Sequence, residues 1–310
     1  MTRVRWILLV AAAALALAPL GGSRFWLQFL ASAMITALFA MSLDLLVGYT
    51  GLVSLAHAAF FGLGSYLLAG LTNGLGYTQL VLTLPLCLAG VALAALAVGW
   101  LSLRTSGVYF IMVTLAFTQM LHYLFSDSNR FGGSDGLYLT DRPRLFATIE
   151  LGNRTASYYA VWIAMLFTYL FLSRLLRAPF GRVLIGIRGN EQRMRTLGFA
   201  TGRYKLVAFV IAGVLAGLAG YLDASLTGFI TPAHLGWRAS GLLLMTVLLG
   251  GKGTLYGPAL GALCLSLFEY QGERLTTHWQ ALVGLALIAV VLYLPRGIAG
   301  LLTPARPPHG

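Results

Sequence analysis

The sequence predicts an all-α protein: a polytopic inner-membrane helical bundle of about ten transmembrane helices, with the N and C termini both cytoplasmic. Three observations predict it. Of 310 residues, 58% are hydrophobic and only 10% charged, with mean hydropathy +0.82. A soluble globular chain carries about 25% charged residues, so this apolar surplus exceeds what one soluble core can hide. The apolar residues also fall in long continuous runs, not in the short alternating segments of an outer-membrane barrel. Finally, the net charge of +12, from 21 basic and 9 acidic residues, collects in particular connections. In an apolar chain that is the positive-inside bias, not a surface for nucleic acid. Soluble enzymes, disordered chains and nucleic-acid-binding domains are thereby excluded.

The segments run approximately 6–20, 26–47, 51–70, 79–102, 106–125, 157–175, 205–226, 237–250, 254–270 and 278–295, most of them near the roughly 20 residues that a bilayer requires. The first follows Arg3 and Arg5. It is short, and no small-x-small cleavage site follows it, so we read it as a retained span, with a cleaved signal segment as the alternative. The eighth is short enough to be a half-helix. All ten form a single transmembrane domain over residues 1–310, with an outer loop near 126–156, a cytoplasmic loop near 176–204 and a C-terminal tail at 297–310.

Loop charge sets the orientation. Arg174, Arg177, Arg182, Arg188, Arg193, Arg195, Arg203 and Lys205 crowd one connection, opposed only by Glu191. Such a loop belongs in the cytoplasm. The 126–156 connection balances its arginines with Asp127, Asp135, Asp141 and Glu150, so it can lie outside. Counting outward from the basic loop places Arg3, Arg5, Arg104, Lys252, Arg296 and Arg306 inside, six sites in one register.

Small residues recur at four-residue spacing in three spans: Ser54, Ala58 and Gly62; Ala212, Ala216, Gly220 and Ala224; Gly257 and Gly261. Such ridges let helix backbones approach closely in lipid, and packing alone accounts for most of them. Spans two to five and seven to ten form two blocks of four in opposite orientation, as in inverted-repeat transporters. The only sequence echo is Ala56-His57 against Ala233-His234, which is at chance level.

No catalytic constellation appears. Gly250-Gly251-Lys252-Gly253-Thr254 lacks the spacing of a phosphate-wrapping loop. The five histidines are scattered without metal-ligand spacing. Cys87 and Cys264 sit in apolar runs and read as packing residues. The chain is therefore expected to have no enzymatic activity, cofactor or metal of its own.

Three groups of residues remain as candidates. The basic loop carries a short helix: Asn190 is an N-cap residue, Glu191 occupies the first turn, Glu191 and Arg195 have favourable i, i+4 spacing, and Gly198 supplies a left-handed stop. A helix of about two turns is marginal alone, so it is expected to dock, with Met194 and Leu197 as its apolar face and Arg182 and Arg188 beside it. The plainer alternative is a positive-inside loop meeting anionic lipid. The second group is intramembrane: Asp44 and His57, with Ser54 and Gly62 on the same stretch, are candidates for a translocation pathway or gate. Asp44 bonding a loop, and His57 being a satisfied bundle histidine, are their structural alternatives. The third is the outer loop, where Gly132, Gly133 and Gly136 around Asp135 predict a tight turn with positive φ.

Several motifs, in order, resemble one family. They are Gly48-Tyr-Thr-Gly-Leu-Val-Ser-Leu-Ala-His-Ala-Ala-Phe-Phe-Gly-Leu-Gly-Ser-Tyr66, Gly132-Gly-Ser-Asp-Gly-Leu137 and Gly181-Arg-Val-Leu-Ile-Gly-Ile-Arg-Gly-Asn-Glu191. Leu197-Gly198, Tyr204–Phe209, Ala216–Gly220, Gly250–Thr254 with Gly257-Pro258, and Leu294–Gly297 follow. Together they resemble branched-chain amino-acid ABC transporter permeases of the M-subunit type. The resemblance implies a permease that pairs with a second, similar permease, two cytoplasmic ATPases that bind the ATP, and a periplasmic substrate-binding protein. It implies import of leucine, isoleucine, valine or related hydrophobic amino acids, and it makes the loop near 176–204 the ATPase coupling loop, with Arg182, Arg188, Asn190, Glu191, Met194, Arg195, Leu197 and Gly198 as its candidate residues. The chain departs from the family pattern at Asp44, where Asn is usual, at Ala56, where Gly is usual, and at Arg193 and Met194, where alanines are usual. A same-family importer of urea or an aromatic acid is the near alternative. A stand-alone secondary transporter is the alternative from another class, and reconstitution with and without the ATPases separates the two.

Overall fold

The computed structural model describes residues 13–20, 23–145, 149–150, 154–275, 278–294 and 297–302. Residues 6–12 of the expected first span, the positions of Arg3, Arg5, Arg296 and Arg306, and the tail beyond residue 302 lie outside the described residues. Residues 13–17 are helical and Ala18–Leu20 continue as a 3-10 turn.

The protein is built of apolar helices. Helix α1 (Arg24–Asp44) runs on as a π-helical segment, Leu45–Thr50, and stops at Gly51 with φ +76°. After an irregular stretch comes α2 (His57–Ala69), extended by a π turn at Gly70–Gly74. Helices α3 (Leu80–Ser102), α4 (Val108–Ser126) and α5 (Arg154–Arg177) follow. Two short helices, α6 (Pro179–Gly189) and α7 (Glu191–Thr196), then lead into α8 (Thr201–Thr227). The chain continues as α9 (Trp237–Gly250), α10 (Tyr256–Leu275), α11 (Trp279–Tyr293) and α12 (Ala299–Leu302). Among the described residues, five helices are long and apolar enough to cross a membrane by length and composition, and α9 is a shorter apolar helix.

The order of elements repeats. A long helix (α1 or α8) stops at a left-handed glycine, Gly51 or Gly228. An irregular stretch leads into a helix of 13 or 14 residues, α2 or α9. Two more apolar helices complete each block. The two irregular stretches also meet the opposite short helix reciprocally. The Leu55 carbonyl accepts from Ser240 Oγ on α9 at 2.5 Å, while the Leu235 side chain fills the space left by Gly62 on α2. The two blocks thus repeat one order of elements, which the sequence scarcely shows.

Helix α8 is the spine. Its small residues Ala212, Ala216, Ala219 and Ala224 are buried, and its glycines admit neighbouring backbones. A Cβ on Gly220 would overlap the Phe61 carbonyl of α2, and one on Gly64 of α2 would overlap the Gly217 carbonyl. Ser65 Oγ donates to the Gly220 carbonyl at 2.8 Å across this contact. Ala95 and Val91 of α3 pack over Gly213 and Gly217. In lipid, where hydrophobic drive between helices is small, such close packing and interhelical hydrogen bonds of about 0.6 kcal/mol each hold the bundle. Gly261 and Gly257 do the same for α10 on α9. One ridge differs from expectation. Ser54 is not on the helix with Ala58 and Gly62, because the third span starts at His57 and the residues before it are unwound.

Two ends result. One gathers the 45–51 segment, α6, α7, the start of α8 and the loop between α9 and α10. The other gathers residues 70–79, 126–145 and 149–150, and 228–236. There β1 (Leu137–Tyr138) pairs antiparallel with β4 (Phe229–Ile230), while β2 (Arg144–Leu145) pairs with β3 (Ile149–Glu150). The Asn73 amide fastens the first pair, donating to the Tyr138 carbonyl and accepting from Thr140 N–H, both at 2.9 Å.

Candidate functional site

The stretch between α1 and α2 is unwound inside the bundle, so its backbone polar groups need partners. Neighbouring helices supply them. The Leu55 N–H donates to Thr114 Oγ1 of α4 at 3.2 Å. The Leu55 carbonyl accepts from Thr118 Oγ1 at 2.8 Å as well as from Ser240. Ser240 Oγ also accepts the Ala58 N–H at 3.0 Å, capping α2 from a different helix. Thr114, Thr118 and Ser240 hold this junction, and sequence reasoning missed them. Hydroxyls in apolar runs carry no local signal of their partners.

The candidate gate residues separate into two places. Ser54 is buried and accepts the Ala56 N–H at 3.2 Å. His57 is fully buried, its ring 6.3 Å from that of Phe60, and neither ring nitrogen has a hydrogen-bond partner. The Ser42 backbone lies within electrostatic reach but outside hydrogen-bonding geometry. His57 is thus buried with neither ring nitrogen in hydrogen-bonding geometry, which does not fit the alternative of a satisfied bundle histidine. Gly62 lies beneath Leu235, where a Cβ would strike the leucine side chain.

Asp44 lies apart from these, at the end shared with α6. Its Oδ1 accepts the Gly253 N–H at 2.7 Å and its Oδ2 the Leu255 N–H at 3.4 Å. The carboxylate therefore holds the α9–α10 loop, in which Gly251 and Gly253 have positive φ, as does Leu255, at +51°. Gly48 makes room for this contact, since a Cβ there would collide with the carboxylate and with Gly253. Arg188 of α6 donates to the Gly48 carbonyl, and its stem lies on Gly51.

The α6–α7 segment is well defined. Pro179 opens α6 at a position where its missing N–H costs nothing. Val183, Leu184 and Ile187 are buried, while Arg182, Ile185 and Arg188 are exposed. The Asn190 side chain accepts the Arg193 N–H at 2.9 Å, an N-cap, and Gly198 has φ +88°. The helix spans Glu191–Thr196, with Leu197 as its C-cap. Glu191 does more than meet the helix dipole. Its Oε1 accepts from Arg195 at 2.7 Å and from Thr201 Oγ1 at 3.2 Å, and its Oε2 accepts from Lys205 of α8. Burial pushes the Glu191 carboxyl up, but the hydrogen bonds and charges of Lys205 and Arg195 outweigh it and hold the group below its ordinary value. Met194 departs from the expected docking face: its side chain turns back over Gly186 of α6. Leu197 stays outward, 65% exposed.

At the opposite end, Gly132, Gly133 and Gly136 have φ of +83°, +59° and +81° around the 3-10 turn Gly133–Asp135. Gly136 abuts the Ile230 carbonyl, so the turn is seated on the segment before α9. His122 Nδ1 is 2.9 Å from the Pro232 carbonyl. Asp223, near the end of α8, was not among the candidates; it lies 3.7 Å from His234 Nδ1. Among the described residues no cluster of His, Cys, Asp and Glu has the makings of a metal site.

Residues 25–292 match the family described as the branched-chain amino acid transport system / permease component. The chain is 28% identical to the high-affinity branched-chain amino acid transport system permease protein LivM of Escherichia coli (strain K12), over 96% of this chain and 76% of that protein. It is 26% identical to the probable branched-chain amino acid transport permease protein LivM of Methanocaldococcus jannaschii, over 84% of each. It is also 26% identical to LivH of Escherichia coli (strain K12), over 85% of this chain and 91% of that protein. No solved structure matches the chain. A family match that starts at the first residues of α1 and runs into α11, over a bundle with this order of helices, means that the chain belongs to the branched-chain amino acid transport permease family.

Proposed function

We propose that the chain is the membrane-spanning permease subunit of an ATP-binding-cassette importer for branched-chain or related hydrophobic amino acids, resident in the bacterial inner membrane. The observation that carries this reading is the family match over residues 25–292. The reading assigns ten spans over a single domain, 1–310, with cytoplasmic termini. In its support, Arg104, Lys252 and the arginines of α6 and α7 gather at one end of the bundle. The α7 helix, with Arg193, Arg195 and exposed Leu197, is the part that enters the ATPase, and α6 carries it. The glycine turn at 132–136 belongs to the surface that receives the periplasmic binding protein. Asp44, Ser54, His57 and Gly62 line the gating region, and a second, similar permease completes the pathway. Anionic lipid meets the remaining arginines of the basic end.

The chemistry asked of this chain is mechanical. ATP binding and hydrolysis occur in the partner ATPases. This chain carries their closure through α7 into α8 and α1, whose unwound junctions are the elements able to rearrange. The test is reconstitution with and without the ATPases. ATP-dependent leucine uptake that requires both the ATPases and the binding protein supports the reading. Uptake by this chain alone, driven by an ion gradient, would replace it with a secondary transporter, in which Asp223 would be the coupling carboxylate.

A further inference from the structure

Three residues apart, at the junction of α6 and α7, two side chains leave in different directions. Glu191 reaches forward to Thr201 and Lys205 at the start of α8. Arg188 reaches back to the Gly48 carbonyl in the π-helical end of α1. Its guanidinium also lies within electrostatic reach of Asp44 and beside Gly253. The Asp44 carboxylate in turn holds Gly253 and Leu255 of the α9–α10 loop. Three glycines make this arrangement possible. Gly48 leaves room for the carboxylate, Gly51 lets the Arg188 stem cross its backbone, and Gly253 admits the guanidinium. The start of α7 is thereby tied to both long helices that open the two blocks, and to the α9–α10 loop.

We propose that Arg188 is a positioning residue for transport: together with Asp44 it latches the inner end of α1 and the α9–α10 loop to the segment that carries α7. This rests on the permease function proposed above and adds the route by which α7 displacement reaches the first block. The planar guanidinium donates to the Gly48 carbonyl, and its charge acts on the Asp44 carboxylate from beyond ion-pair distance. A lysine ammonium keeps the charge but lacks the fork. A π-helical segment with a left-handed terminus is also a backbone that can change its hydrogen-bond register locally, which suits an element pulled from one end.

The experiment uses the full complex in proteoliposomes with leucine as the solute, and it reads leucine taken up per ATP hydrolysed. Arg188→Lys keeps Asp44 beside a cation, and we expect the ratio to fall about fivefold or more while the four membrane and ATPase subunits still co-purify. Arg188→Gln combined with Asp44→Asn removes both charges together and covers the case in which the lysine variant does not assemble; the same fall is expected. A ratio equal to the parent in whichever variant assembles would overturn the proposal and leave the pair as local charge compensation. Failure of both variants to assemble would also overturn it, making Arg188 a folding residue. No ATP-driven uptake by the parent complex would overturn the transport reading, and this proposal with it, whereas uptake by the parent and equally by the variants would overturn this proposal alone.

Discussion

The Asp44 carboxylate, at the last residue of α1, accepts the backbone N–H of Gly253 at 2.7 Å, although 209 residues separate the two in sequence. One side chain therefore defines the α9–α10 loop from the opposite block. Asp44→Ala leaves two N–H groups without their acceptor. Each buried donor so stranded costs about 1–3 kcal/mol. We expect a loss of that order in unfolding measured in detergent, and a much smaller loss for Asp44→Asn, which retains one amide oxygen as acceptor. An alanine variant as stable as the parent would mean that the loop is held by its glycines alone.

Ser240 does double duty at the unwound junction, donating to the Leu55 carbonyl and accepting the Ala58 N–H. Ser240→Ala removes both bonds at a fully buried position, for a cost of about 1–3 kcal/mol. Thr114→Val, which removes the acceptor of Leu55 N–H and a local bond to the Ile111 carbonyl within its own helix, should cost less. Thermal unfolding of the two single variants orders them, and an equal or reversed order would contradict the capping role.

Glycine spacing on α8 and α9 separates contact from coincidence. Gly220→Val drives a side chain into the Phe61 carbonyl, and overpacking of this kind costs about 1–3 kcal/mol or more. Gly241→Ala meets nothing within 4 Å and gains up to about 1 kcal/mol of helix propensity. Membrane-inserted yield and detergent melting should therefore move in opposite directions for the two.

Glu191 sets a pH limit on the α7–α8 tie. Its folded-state value is depressed, chiefly because the Lys205 and Arg195 hydrogen bonds overcome the upward push of burial. A depressed carboxyl contributes stability that is present above its unfolded value, about 4.3, and is lost as pH falls through the lower folded value. Amide hydrogen exchange of residues 191–198 should be insensitive to pH changes above about pH 5 once corrected for intrinsic rates. It should accelerate in acid, and Glu191→Gln should accelerate it at neutral pH too. Because the group is partly solvated, the tie is worth about 1 kcal/mol at most. Parent-like protection in the glutamine variant would leave α7 held by packing of Met194 alone.

Much of this was legible in the sequence, for physical reasons that are local. Hydrophobic length marks spans, so the expected bounds of α3, α4 and α9 fall within a few residues of the helices. The Asn190 cap, the Glu191–Arg195 pair and the left-handed Gly198, Gly132, Gly133 and Gly136 depend on neighbours a few residues away, and all have the expected geometry. What escaped is long-range. Nothing near Asp44 announces Gly253, nothing near Leu55 announces Ser240, and Glu191 shows no sign of Lys205 until α7 folds against α8. Met194 turned inward because Gly186, on the preceding helix, offers it a groove. The unwinding before His57 was hidden by its own apolarity, since an unwound apolar stretch and a helical one have the same hydropathy.

The turn at the opposite end is testable by strain. Gly136 combines φ +81° with contact against the Ile230 carbonyl, whereas Gly133 has φ +59° and only ordinary contacts for a Cβ, with Ser126 and Asn129 at 3.8 and 3.9 Å. Gly133→Val carries only the left-handed penalty, about 1–2 kcal/mol, and should lower leucine uptake while assembly with the ATPases is retained. Gly136→Val should disturb the β1–β4 pairing as well and lower membrane-inserted yield. Uptake equal to the parent in the Gly133 variant would reduce the turn to a connector.

Sided cysteine labelling tests the central claim most directly, because the coupling assignment requires α6 and the α9–α10 loop to face the ATPases and the glycine turn to face away. Cys87 and Cys264 are first replaced by alanine, and single cysteines are placed at Ile185, Lys252 or Asp135. We predict that a membrane-impermeant maleimide added to intact cells labels only the Asp135 position, and that the Ile185 and Lys252 positions react only in inverted vesicles. Labelling of Ile185 or Lys252 from outside intact cells would contradict the account, since it would place α7 on the side where no ATPase can reach it.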